Sequence, residues 1–182
     1  MRARRGRPDL TAVAAAWRRL GVLFLVEPAA EVVDLERLVL RTAEAGRYDD
    51  RLIACAVAWL ARYGALVNGR RLGRLLVASS DLTSAIVGAM LSTALAEAGG
   101  CGPLEIALKY SRPLAIPRPL TVATEANLLF TEWARADSDP VFTRWGLWYY
   151  DGGVKHTAVR PVAALWREVP ELRVRAAMGR TP

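Results

Sequence analysis

The chain has little of what enzymes and metal proteins use. Among its 182 residues there is one histidine, His156, and there are two cysteines, Cys55 and Cys101. A Ser-His-Asp or Cys-His relay needs a base beside a nucleophile and a third group that orients the base. His156 follows Lys155 in a stretch that reads as a strand after a turn, with no GxSxG or cysteine signature beside it. It is expected to be an exposed hairpin residue. One histidine and two distant cysteines also argue against a zinc site and against a disulfide framework. A reducing cytoplasm is the expected setting. No Walker A loop or dinucleotide fingerprint is present, and Gly99-Gly100-Cys101-Gly102 lacks the lysine of a phosphate loop. The acidic pairs Asp49/Asp50 and Asp137/Asp139 are explained by helix capping and turn chemistry rather than by a cation. No catalytic residue, metal site or cofactor is therefore expected.

Long apolar runs are missing too. Gly21 to Val26 is far too short to span a bilayer, and Ala85 to Ala96 is short and carries Ser92 and Thr93. The basic N-terminus MRARRGRPDL is not followed by the continuous apolar stretch of a signal peptide. No membrane association is expected. Lysine is nearly absent as well, with Lys109 and Lys155 alone. Every other basic residue is arginine, and the formal net charge is +7. An acidic partner fits that charge, but a GC-rich genome would give the same bias towards arginine, alanine, leucine and valine.

What is present is a soluble core: 53% of residues are hydrophobic and 24% charged. The first hundred residues punctuate themselves as helices. Asp9 and Asp34 are N-caps before apolar positions at helical spacing. Asp49 or Asp50 opens a third helix with the stripe Leu52, Ala56, Trp59, Leu60 and Tyr63, closed by Gly64. A short helix starts near Asn68. Ser80 or Asp81 caps a longer one that runs to Gly99-Gly100, and Gly21 to Val26 reads as a short strand or a helix continuation. After Gly102 prolines become frequent. Leu104, Ile106, Leu108 and Tyr110 alternate as in a half-buried strand, although Pro103 also fits a helix start. Thr124 to Arg135 reads as a helix and Phe142 to Tyr150 as a strand, with Asp151-Gly152-Gly153 as its hairpin loop. Further helices are expected from Arg160-Pro161 through Trp166 and from Glu171 to Met178. The fold expected is one mainly α-helical domain with a small β-hairpin near 142–157 that can pair with 104–110. Residues 1–8 form a flexible basic arm, 9–100 a helical core, and 101–182 a mixed segment packed on that core.

Two features bear on binding. Residues 70–98 have the outline of a helix-turn-helix, with Arg70, Arg71 and Arg74 in the first helix. The second helix, from Leu82 to Ala96, holds no charged side chain, no Asn and no Gln. It cannot make bidentate contacts to base edges and reads as a buried core helix. The arginines before it, and Arg2, Arg4, Arg5 and Arg7 in the arm, remain candidates for gripping DNA phosphates. The second feature is RWGLWYYDGG at 144–153, with four rings in six positions. As a strand it places Trp145, Leu147 and Tyr149 on one face and Arg144, Trp148 and Tyr150 on the other. Both faces are apolar, so either helices cover the strand on both sides or one face is reserved for a partner, a protein or unpaired bases. Tryptophan, tyrosine and arginine anchor protein interfaces, and Arg144, Trp148 and Tyr150 are the partner-binding candidates.

The stretches RLIACAVAWLARYGALVNGRRLGRLL and RPVAALWREVPELRVRAAMG resemble the helical part of bacterial regulators and antitoxins encoded beside nucleotidyltransferase-type toxins. That resemblance implies a region that binds a partner protein, here a toxin, often next to a winged helix-turn-helix. This sequence stops at Pro182, shortly after the Pro-Glu-Leu-Arg segment, which departs from that pattern and leaves partner binding as the stronger implication. The function expected is non-enzymatic: binding and regulation of a protein partner. DNA binding through the arginine clusters is the alternative, and self-association stays open.

Overall fold

The computed structural model describes residues 7–22, 24–149 and 171–179. They form a mainly helical single domain. The helices are α1 (Leu10–Arg19), α2 (Leu35–Ala45), α3 (Arg51–Tyr63), a short 3₁₀ turn η1 (Gly64–Leu66), α4 (Gly69–Val77), α5 (Asp81–Ala98), α6 (Gly102–Leu108), α7 (Val122–Glu125), α8 (Leu128–Ala136), α9 (Pro140–Arg144) and α10 (Glu171–Ala177). None of the described helices is long and apolar enough to cross a membrane.

Helix starts follow local chemistry. The carboxylate of Asp9 accepts from Ala12 N–H, that of Asp34 from Arg37 N–H, and the Asn68 side chain from Arg71 N–H. Ser80 Oγ accepts from Thr83 N–H. Each satisfies one of the backbone donors that a helix leaves open at its start. Asp50 precedes α3 without capping it. Gly99, at φ 70°, closes α5 in the left-handed region that glycine enters without a Cβ penalty.

Helix α5 is the axis of the core. Its residues from Thr83 to Leu91, with Thr93 and Ala94, are buried, and α2, α3, α4, α6 and α9 pack around it. Its buried hydroxyls find partners close by. Thr93 Oγ1 donates to Ala89 O at 3.0 Å, and Ser84 Oγ accepts from Arg112 N–H at 2.9 Å. On the far side of α3, Trp17 and Trp59 meet edge to face with ring centroids 5.5 Å apart. Their indole N–H groups donate to Thr42 Oγ1 at 2.8 Å and to Leu20 O at 3.2 Å, so both rings are buried without an orphaned donor.

The second half corrects the expected hairpin. Only two short strands form among the described residues, β1 (Arg118–Pro119) and β2 (Leu147–Trp148), and they pair in parallel, Arg118 opposite Leu147 and Pro119 opposite Trp148. The stretch read as a strand from Phe142 begins inside α9. Asp139 caps that helix by accepting from Val141 N–H and Phe142 N–H, and Pro140 sits in its first turn, where a missing N–H costs nothing. Residues 104–110 do not pair with β2, because Gly102–Leu108 is helical with Pro103 in its first turn. Gly21 to Val26 contributes no strand among its described residues. The helix expected over 124–135 is broken in two at Asn127, whose side chain caps α8. The expected helix at 160–166 and the return half of the hairpin fall outside the described residues.

Trp145 shows how the second half is locked to the first. Its ring lies on Gly88 of α5, where a Cβ would stand 2.4 Å from the ring. Its indole N–H donates to Ser92 Oγ at 3.0 Å, one turn further along α5. Gly88→Ala should therefore destabilise the fold by about 1–3 kcal/mol through overpacking, although alanine is the better helix former by roughly 1 kcal/mol. A denaturant midpoint that rises in this variant would contradict the packing described.

Candidate functional site

Helix α8 departs from ordinary burial. Asn127 Oδ1 accepts from Leu129 N–H at 3.0 Å and Phe130 N–H at 3.3 Å, fixing its start. Its inner side is narrow. Ala134 is its buried residue, Thr131 Oγ1 donates to Thr124 O at 2.8 Å, and the Arg135 guanidinium lies 5.8 Å from the centre of the Trp148 ring. The other side carries large apolar groups into solvent: Leu128 is 85% exposed, Leu129 56% and Phe130 42%. Trp133 is partly exposed, with its ring centroid 5.6 Å from that of Phe130. Single exposed apolar residues are ordinary on protein surfaces. Several on one short helix form the kind of patch that marks an interaction surface.

The surroundings of α8 are held by charge. Arg47 donates to Glu125 Oε2 at 2.6 Å, Arg118 pairs with the other oxygen of Glu125, and Val122 N–H donates to Arg47 O at 2.8 Å. These contacts tie α7 and β1 to the turn after α2. The apolar helix is thus presented on a braced base, and β1 and β2 pack beneath it.

The partner candidates divide. Trp148 is half-buried on β2 and lies under Arg135, beside α8. Arg144, exposed at the end of α9, faces a different place: an open groove of about 430 Å³ that it lines with Ser92, Leu95, Leu108, Pro113 and Trp145. Tyr150 lies outside the described residues. Of the core-face rings, Trp145 packs on α5, and Tyr149 stacks on Phe142 and donates its hydroxyl to Asp50 Oδ2 at 3.3 Å.

The basic candidates divide as well. Arg2, Arg4 and Arg5 lie outside the described residues. Arg7 sits 5.1 Å above the Tyr48 ring. Arg70 and Arg74 are exposed on α4 and make no ion pair among the described residues. Arg71 is committed inward: one guanidinium nitrogen donates to Asp34 Oδ1 at 2.9 Å and to Glu36 Oε2 at 2.6 Å. Glu36 is fully buried and also accepts from Asn68 N–H at 2.7 Å. Arg71 is therefore a clamp between α2 and α4 and is not presented to a phosphate. Helix α5 is buried from Thr83 to Leu91, so that stretch cannot enter a groove of DNA.

Of the groups that might carry chemistry, the Cys55 thiol is pushed up to about 11, first by burial and then by the nearby Asp49 carboxylate. It stays protonated at neutral pH and is a poor nucleophile. No group of three or more His, Cys, Asp or Glu residues suited to a metal ion occurs among the described residues. His156 lies outside them.

Sequence reasoning named a helix near α8 but did not single out Leu128, Leu129 or Phe130. The run LLF followed by Trp133 was a visible signal. Its apolar residues spread round the helix instead of forming one stripe, so no pattern said which of them would remain uncovered. Comparison of the chain with protein-family models, with curated proteins and with solved structures gives no match.

The Arg71 clamp yields two expectations. Arg71→Ala strips a buried carboxylate of its cation and should cost about 2 kcal/mol in a denaturant titration, at the low end because Arg71 is partly solvated and Asn68 N–H remains. The second concerns acid. Burial raises the Asp34 pKa, but the Arg71 hydrogen bond, the Arg37 N–H and both positive charges outweigh it and hold the carboxyl below its usual value. A carboxylate so depressed contributes stability that is fully present above the usual range and is lost as pH falls through the lowered folded-state pKa. Asp34→Asn should flatten the acid limb of the stability profile, and an unchanged acid limb would remove Asp34 from that role.

Proposed function

We propose that this chain is a non-enzymatic protein that binds and regulates a protein partner, in the manner of an antitoxin, and that the partner docks on α8. The observation that carries this reading is the exposure of Leu128, Leu129 and Phe130 on one short helix. Water gains nothing from such a surface. A partner that buries it gains on the order of 25 cal/mol per Å² of apolar area, and a helix presenting apolar anchors is a common way of meeting a groove. Trp148 beneath Arg135 extends the surface with an aromatic and a guanidinium, both frequent in interface anchors. The resemblance to antitoxin-like regulators supports a toxin as the partner.

DNA binding remains the second reading, on Arg70 and Arg74 of α4, which are exposed and make no ion pair among the described residues. It has lost Arg71 and the recognition helix, so it would rest on phosphate contacts alone. Such binding weakens steeply with salt because neutralised phosphates release counterions.

The test is affinity capture of a defined partner, first the protein encoded beside this chain, with three versions of the protein: unaltered, Leu129→Glu with Phe130→Ala, and Arg70→Ala with Arg74→Ala. The α8 pair is largely exposed, so stability should fall by no more than about 1.5 kcal/mol, mostly from the lost Phe130–Trp133 contact. Its affinity for the partner should fall at least tenfold, roughly the loss of one interface hot spot. The α4 pair should keep the partner. Undiminished capture by the α8 variant would sink the proposal. Duplex DNA bound at about 50 mM salt and released at about 200 mM, with loss in the α4 pair, would favour the second reading instead.

A further inference from the structure

We propose that the groove between α5, α6 and α9 is a binding site for a small apolar carboxylate, separate from the α8 surface and independent of its reading. The groove has a volume of about 430 Å³ and is lined, among the described residues, by Ser92 and Leu95 of α5, Leu108 of α6, Pro113 of the following loop, and Arg144 and Trp145 at the end of α9. That is within the size range of small-molecule sites, which combine apolar walls with a few placed polar groups.

Its walls are fixed by the fold. Gly88 lets the Trp145 ring lie against α5, and Ser92 Oγ holds the indole N–H at 3.0 Å. The ring is therefore a pre-set wall, with both its contacts on one helix face. Leu95 and Leu108 are only partly buried, so apolar surface is left for an occupant to cover. The polar groups are both donors. Arg144 is exposed and has no carboxylate partner among the described residues. Ser92 accepts from Trp145, and its own hydroxyl proton has no acceptor among the described residues. A guanidinium and a hydroxyl donor at the edge of an apolar groove complement an anion with an apolar tail. Among the described residues no acidic side chain lines the groove, so a cation finds no counter-charge from them.

Saturation-transfer NMR on the full chain, with octanoate, octanol and octylammonium as ligands, tests this. Octanoate should bind at millimolar concentrations, and octanol about tenfold more weakly, the worth of one charge-assisted hydrogen bond. Octylammonium should not bind. Arg144→Gln should lower octanoate affinity about tenfold, while Arg144→Lys keeps part of it as a point charge. Leu95→Trp, which fills the groove, should abolish binding, and Leu129→Glu on α8 should leave it unchanged. Absence of octanoate binding would overturn the proposal. So would equal binding of octanoate and octanol, or octanoate binding that Arg144→Gln leaves intact. The Arg144 variants alter an exposed side chain, so their result stands even if Leu95→Trp fails to fold.

Discussion

A helix with no polar face has to be covered on every side, and α5 imposes that condition on the rest of the domain. From Thr83 to Leu91 every residue on it is buried. An isolated helix of this kind would expose apolar surface in all directions, so its stability comes from packing rather than from propensity. Helices α2, α3, α4, α6 and α9 supply the cover, and the side of each that turns inward is decided by the side of α5 that it must close. Gly88 is where this goes furthest. The lack of a side chain there admits Trp145 and brings the second half of the chain onto the axis of the first.

The aromatic segment follows from the same demand. A strand with rings on both faces would have needed two apolar layers. The chain instead ends α9 at Arg144, turns through Gly146 at φ 72° and forms two residues of strand. Successive rings then go to different neighbours: Trp145 to α5, Tyr149 to Phe142 and Asp50, Trp148 to Arg135. Two of these rings, Trp145 and Tyr149, are spent on joining the two halves. Helix α8 leaves Leu128, Leu129 and Phe130 exposed, and its buried residue is an alanine.

The arginines make a parallel point about charge. Arg70, Arg71 and Arg74 look alike in sequence and are within five positions of one another. Position on the α4 cylinder separates them. Arg71 turns towards Asp34 and the buried Glu36, while Arg70 and Arg74, four apart and on one face, point to solvent. A buried carboxylate is tolerable only with such a partner, so the basic character of α4 is divided between holding the fold and facing outward.

What the sequence by itself determined is the local part. Asp9, Asp34, Asn68 and Ser80 cap helices by accepting from an N–H three residues on, an interaction contained in a few consecutive residues. The burial of α5 was equally legible, because a run without charge can only be interior. Asp139-Pro140 carried the start of α9 in the same local form, although the rings after it read as a strand. Tertiary structure alone decided the rest. The partner of β2 is Arg118–Pro119, which no alternation of residues specifies. Arg71 meets Glu36 across 35 positions, and Trp145 meets Ser92 across 53. The exposure of Leu129 and Phe130 depends on which elements reach α8. Contacts between distant segments depend on how whole faces are shared out around one core, and that competition is settled only when every element is in place.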